Sequence, residues 1–109
     1  FTKVVKIIWS PSALEDVNSI AEFIARDSVD RAALFVARLL EAIDRLQDYP
    51  RSGRVIPEIS DKSCREIMYG SYRIMYRLEG DDIWITGVVH GARDWNPSQN
   101  ARDKTIDKE

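Results

Sequence analysis

The stretch from residue 70 to residue 95 constrains the fold more than any other part of the chain. Two runs of β-branched and aromatic residues flank a tight turn at residues 80–82, a pattern that predicts a β-hairpin. Strand alternation sends neighbouring side chains to opposite faces of a sheet. One face then carries Arg73, Met75 and Arg77, and the other carries Tyr72, Ile74, Tyr76 and Leu78. The hairpin therefore holds arginines on a rigid sheet.

Two amphipathic helices are predicted upstream of this hairpin. Ser10-Pro11 is a helix start signal, and apolar residues at helical spacing follow it. A second apolar stripe begins after residue 28 and stops before Pro50. We expect helices at about 11–26 and 29–48, packed as an antiparallel hairpin because the connection between them is short. The predicted core is Leu14, Val17, Ile24, Val36, Leu39, Leu40, Ile43, Ile74 and Tyr76.

The remaining elements complete a β-α-α-β-β-β order. Residues 4–9 form a short apolar run that predicts a strand, residues 50–63 read as one long loop, and residues 64–69 predict the strand before the hairpin. Three successive strands joined by tight turns are antiparallel, so we predict an α+β fold with the helical hairpin on one face of an antiparallel sheet. We expect one domain over residues 1–95 and a polar tail over 96–109.

The charge and composition of the 109-residue chain exclude several classes of protein. Its net charge is −2, so it lacks the basic excess of a protein that holds nucleic acid mainly through phosphates. Cys64 is the single cysteine, which excludes an internal disulfide and fits a cytoplasmic protein. No apolar run approaches the ~20 residues of a membrane span. With one histidine and one cysteine, we expect no metal site and no cofactor.

Four motifs in order resemble the RelE/ParE superfamily, the toxins of type II toxin–antitoxin modules. They are the Trp9-Ser10-Pro11 opening, Tyr49-Pro50-Arg51-Ser52-Gly53, the strand at 72–77 and the closing His90-Gly91-Ala92-Arg93-Asp94-Trp95. The resemblance covers residues 4–95. It implies a protein held inactive by a cognate antitoxin, with operator DNA contacted only through that antitoxin.

The superfamily contains two mechanisms, and the resemblance implies different targets for them. ParE-like members inhibit DNA gyrase, whereas RelE-like members are endoribonucleases that cut messenger RNA on the ribosome. Under the nuclease alternative the catalytic candidates are Arg73, Arg93, His90 and Glu66. A structural alternative for Arg73 is an ion pair with Glu66 or Asp94.

The residues favour the ParE-like mechanism. RelE-like enzymes place lysines on the strand that matches 64–69, where this chain has Cys64 and Glu66. A carboxylate in place of a lysine repels phosphate, although some relatives use a glutamate as base. The His-Gly-Ala-Arg-Asp-Trp ending is also closer to ParE-like members. On this interpretation the protein is a gyrase inhibitor and not an enzyme.

The helical hairpin is the predicted surface for the antitoxin. Residues 10–50 contain eight acids and four bases, so this half of the chain is acidic and suits a basic partner. Small side chains let another helix approach closely. The candidates for antitoxin binding are Ala32, Ala33, Ala37 and Ala42, with Glu22, Asp30 and Glu41 steering the encounter. The alternative is that the alanines only pack the two helices together.

Overall fold

The computed structural model describes residues 5–91 and has an α+β fold. Its elements, in chain order, are β1 (Lys6–Trp9), α1 (Pro11–Ala25), α2 (Val29–Asp44), a single 3-10 turn (Arg45–Gln47), β2 (Arg54–Val55), β3 (Cys64–Tyr69), β4 (Tyr72–Glu79) and β5 (Asp82–His90). Within the described residues, no helix is long and apolar enough to cross a membrane. The predicted tail at 96–109 lies outside this range.

Side-chain caps set the start of both helices. The Ser10 hydroxyl accepts a hydrogen bond from the Ala13 amide, and the Ser28 hydroxyl accepts one from the Arg31 amide, each at 3.1 Å. Such caps satisfy amides that have no partner within the helix. Pro11 occupies the first turn of α1, where its missing N–H costs nothing. The predicted helical hairpin is confirmed; α1 ends one residue and α2 four residues earlier than expected.

Over residues 5–91, the sheet has five strands in the order β1-β5-β4-β3-β2. The β5-β4-β3-β2 part is antiparallel, as predicted. At the edge, however, β1 pairs in parallel with β5, from Lys6 opposite Asp82 to Trp9 opposite Ile85. The sheet is thus mixed, and the expected loop at 50–63 contributes the short strand β2.

The main core lies between the helices and one face of the sheet. It contains Ala13, Val17, Leu39, Ile43, Leu46, Ile74, Tyr76, Ile83, Ile85 and Val88. The core prediction is wrong for Leu14 and Leu40, which are 50% and 42% exposed. Each follows a fully buried residue, Ala13 or Leu39, and one residue turns an α-helix by about 100°. That rotation carries both leucines out of the interface.

A smaller cluster covers the opposite face of the sheet. Ile56 packs with Cys64 and Met75, and half-buried Ile59 and Val89 complete the cluster. Ile56 and Ile59 come from the segment between β2 and β3, so this segment lies over the face that carries Arg73. The sheet is therefore covered on both faces, by helices on one and by residues 56–59 on the other.

Candidate functional site

Arg73 is buried on β4, and two carboxylates enclose its guanidinium group. Its Nε donates to Glu66 Oε1 at 2.7 Å, and its Nη2 lies 2.6 Å from the same oxygen. Nη1 and Nη2 also donate to the two oxygens of Glu58, at 2.9 and 2.8 Å. All three guanidinium nitrogens therefore face carboxylates. The structural alternative for Arg73, an ion pair with Glu66, is present.

Glu66 links Arg73 to a second arginine. Its side chain is fully buried on β3, and its Oε2 accepts a hydrogen bond from Arg54 Nε at 2.6 Å. The result is a row of four alternating charges, Arg54, Glu66, Arg73 and Glu58, which we call the ion row. Two cations and two anions sum to zero, so the row presents no net positive charge to a phosphate.

The ion row also shifts the affinities of its members for protons. The hydrogen bond from Arg73 lowers the pKa of Glu58 below its ordinary value. The hydrogen bond to Glu58, followed by that to Glu66, raises the pKa of Arg73. Each group stabilises the charged form of its partner. At neutral pH the guanidinium and the Glu58 carboxylate are therefore locked together as ions.

His90 lies on the opposite face of the sheet from Arg73. A β-bulge causes this placement: Met75 pairs with Gly87 and Tyr76 with Ile85, so Thr86 has no residue opposite it. The extra residue reverses the alternation of β5 beyond it. His90 then pairs with Tyr72 on the helical face, where the two rings meet edge to face at 5.3 Å.

The four nuclease candidates are thus only partly brought together. Arg73 and Glu66 touch, His90 is separated from them by the sheet, and Arg93 lies outside the described residues. Glu58 and Arg54 complete the ion row but were not predicted, since no spacing links a loop residue to Arg73. Within residues 5–91, no group of three or more His, Cys, Asp or Glu side chains is arranged to hold a metal ion.

The family described as the ParE toxin of type II toxin–antitoxin systems, parDE, matches residues 7–95. The chain belongs to the ParE toxin family. It is therefore a toxin of a type II toxin–antitoxin module within the RelE/ParE superfamily, as the sequence motifs indicated, and the family implies an antitoxin partner.

Several toxins are similar to this ParE-family chain, and their names include both RelE and ParE. Y4kP of Sinorhizobium fredii, a protein with a provisional toxin name, is 37% identical over 83% of this chain and 92% of its own. Toxin RelE2 of Caulobacter vibrioides is 29% identical over 81% and 97% of the two chains. Toxin ParE1 of Mycobacterium tuberculosis is 36% identical over 63% and 70%. The names alone do not select a target.

A solved structure shares the fold. A chain from the chromosomal ParDE toxin–antitoxin system of P. aeruginosa superposes with a TM-score of 0.67, covering 80% of this chain and 96% of that one. The two sequences are 18% identical. This match therefore supports the ParE-family architecture of two helices on a five-stranded sheet.

The fold explains the Tyr-Pro-Arg-Ser-Gly motif of this ParE-family chain. The buried Tyr76 hydroxyl donates to the Pro50 carbonyl at 2.7 Å and accepts from the Gly53 amide at 3.0 Å. A Cβ on Gly53 would lie 2.5 Å from the Glu66 carbonyl oxygen and 2.6 Å from that hydroxyl. Tyr76 thus anchors the segment that leads to the ion row, and burial raises its pKa.

The hairpin residues predicted to bind the antitoxin divide into two groups. Ala32 and Ala42 are buried, at 7% and 6% exposure, so their side chains offer little surface to a partner. Their burial favours the alternative that these two alanines only contribute to packing within the fold. Ala33 and Ala37 are exposed. The three acids are exposed as well, at Glu22, Asp30 and Glu41.

Proposed function

We propose that this ParE-family toxin inhibits DNA gyrase, acts in the cytoplasm and is neutralised by a cognate antitoxin. The observation that carries the proposal is the enclosure of Arg73 by Glu58 and Glu66. In this arrangement the arginine has a structural role. The toxin then acts by binding its target, and it needs neither a catalytic residue nor a cofactor.

The geometry of the ion row disfavours RNA cleavage. Such cleavage needs a base for the 2′-hydroxyl, a cation for the phosphorane and an acid for the leaving oxygen. Arg73 already donates to two carboxylates, and both Glu66 oxygens accept from arginines. His90 lies across the sheet from both. A phosphate at Arg73 would have to displace Glu58 and overcome its repulsion.

The alternative is a RelE-like ribosome-dependent endoribonuclease. It rests on the contact between Arg73 and Glu66, which joins a candidate cation to a candidate base. Release of Glu58, whose side chain is 36% exposed, would open the guanidinium to a phosphate. Arg93 would then be the second cation of the site.

The antitoxin is proposed to cover the outer face of the helical hairpin. Ala33 and Ala37 are exposed on α2 four residues apart, which places them on the same side of the helix. The neighbouring Glu41 and the Asp30 carboxylate are also exposed. Small side chains within an acidic surface suit close approach by a basic amphipathic helix. Operator DNA is reached through the antitoxin alone.

Two assays of purified protein test the target. The toxin is added to gyrase with relaxed plasmid, and in parallel to ribosomes translating a defined message. We expect loss of supercoiling, reversed by the antitoxin, and an intact message. Cleaved message with unaffected supercoiling would establish the nuclease alternative, and no effect in either assay would refute both targets.

A further inference from the structure

A groove runs between α1 and the C-terminal part of β5. It encloses about 330 Å³, which is at the small end of the range for binding pockets and suits one or two side chains. We call it the α1–β5 groove. Its lining consists of Asp16, Ser19, Ile20, Phe23, Tyr72, Val88, Val89 and His90.

One wall of the groove carries an aromatic side chain that the fold leaves in water. Phe23 on α1 is 66% exposed, and the Arg26 guanidinium lies 5.9 Å from its ring centroid. Ile20 and Val88 continue the apolar surface inward to the main core. A large apolar side chain inserted here would cover Phe23 and extend the core.

The groove is framed by backbone groups that already have partners. Asp16 Oδ2 accepts from the Val88 amide at 2.9 Å, and the Ser10 and Ser12 hydroxyls donate to the Thr86 carbonyl at 3.4 and 3.3 Å. These bonds tie α1 to the edge of β5 beyond the end of β1. The groove is therefore preformed, and a ligand does not have to order it first.

The charge of α1 and its flanking residues favours one kind of partner. Residues 11–27 contain four acids and one base, a net charge of −3, and the Asp16 carboxylate is part of the lining. A segment that carries Lys or Arg beside an apolar anchor is attracted by this field, whereas an acidic segment is repelled.

We propose that the α1–β5 groove receives an anchor segment of the antitoxin, in which one large apolar side chain packs against Phe23 and flanking basic residues face α1. The proposal rests on the toxin–antitoxin pairing of the proposed function. It adds the α1–β5 groove as a second contact surface for the antitoxin, distinct from the outer face of α2. A second copy of the toxin is the competing occupant.

The test compares two exposed aromatic residues. Phe23→Ala removes the groove wall, and Tyr49→Ala is the matched control because Tyr49 is 68% exposed and lies outside the groove. Each variant is titrated calorimetrically with the purified cognate antitoxin, after thermal unfolding has confirmed that the variant is folded. We expect at least about tenfold weaker binding for Phe23→Ala and less than about twofold for Tyr49→Ala.

A second measurement reports on the groove directly. Ser19→Cys can be labelled with an environment-sensitive fluorophore because the native Cys64 is buried, and Tyr49→Cys supplies the control position. Antitoxin should shift the emission at position 19 to the blue and leave position 49 unchanged. Raising the salt concentration should weaken binding.

The outcomes separate this proposal from the proposed function. If wild-type toxin binds antitoxin and Phe23→Ala binds equally well, the groove assignment is wrong while the pairing stands. If wild-type toxin does not bind the antitoxin, both fail. If Phe23→Ala changes only the self-association of the toxin in sedimentation, a second copy occupies the groove and the proposal is overturned.

Discussion

Replacing Arg73 with methionine tests whether this residue serves the fold or the chemistry. Methionine keeps an unbranched side chain on the same face of β4 but removes the guanidinium, leaving Glu66 buried with Arg54 as its remaining cation. Removing one partner of a buried ion pair costs about 3–5 kcal/mol. Because Arg54 stays and the half-exposed Glu58 can turn to water, we expect the lower end, about 3 kcal/mol.

Arg77→Met is the matched control on the same strand and face. Arg77 pairs with Glu79 at 2.8 Å, and the Glu79 side chain is 58% exposed. Ion pairs of this kind contribute about 1 kcal/mol or less. Urea unfolding followed by tryptophan fluorescence gives both free energies, since Trp84 lies on β5 opposite Arg77. If Arg73→Met costs no more than Arg77→Met, the argument from the buried ion row is wrong.

The double variant Arg73→Met with Glu66→Met separates stability from catalysis. Replacing a whole buried ion pair with apolar side chains is often neutral or stabilising, so the double variant should recover most of the stability lost in the single variant. Under the gyrase proposal, growth inhibition should return with stability. Growth inhibition that stays lost in a stable double variant would instead show that Arg73 or Glu66 is needed for toxicity itself, as the nuclease alternative requires.

Three further predictions concern residues 50–58, the segment that contains Arg54 and Glu58 of the ion row. Tyr76→Phe removes the hydroxyl that binds Pro50 and Gly53 and should cost about 1–3 kcal/mol by leaving buried backbone groups unpaired, measured by urea unfolding. Gly53→Ala should be at least as destabilising, because its Cβ would lie 2.5 Å from backbone; unchanged stability would contradict the geometry. Because the pKa of Glu58 is lowered in the folded state, its contribution is complete above its unfolded value and is lost as pH falls through the folded value. The free energy of unfolding of wild type should therefore fall as the pH drops below about 4.5. In Glu58→Gln it should fall less steeply over the same range, and parallel pH profiles of the two proteins would refute this assignment.

The local features of this fold could be predicted from the sequence. Ser10-Pro11 and Ser28 mark helix starts because a hydroxyl cap needs only residues within one turn. The hairpin and the face of Arg73 follow from alternation along a single strand. These signals depend only on residues that are close together in the chain, so they can be recognised in the sequence without the tertiary structure.

Other features depended on contacts between distant segments. The parallel pairing of β1 with β5 joins residues 76 positions apart, and no local pattern specifies it. Leu14 and Leu40 belong to apolar stripes that are wider than the surface available to cover them. Their exposure became clear only when the helices were placed on the sheet.

The bulge at Thr86 decided the arrangement of the candidate site. Simple alternation from Ile85 would have put His90 on the face of Arg73, whereas the extra residue puts it beside Tyr72. Gly87 was the signal in the sequence, since a glycine within a strand often marks a bulge. The sequence by itself thus determined the two helices, four of the five strands of the described residues, the family and the face of Arg73. Only the tertiary structure placed Glu58 against Arg73 and His90 behind the sheet, because both depend on strand register and loop packing.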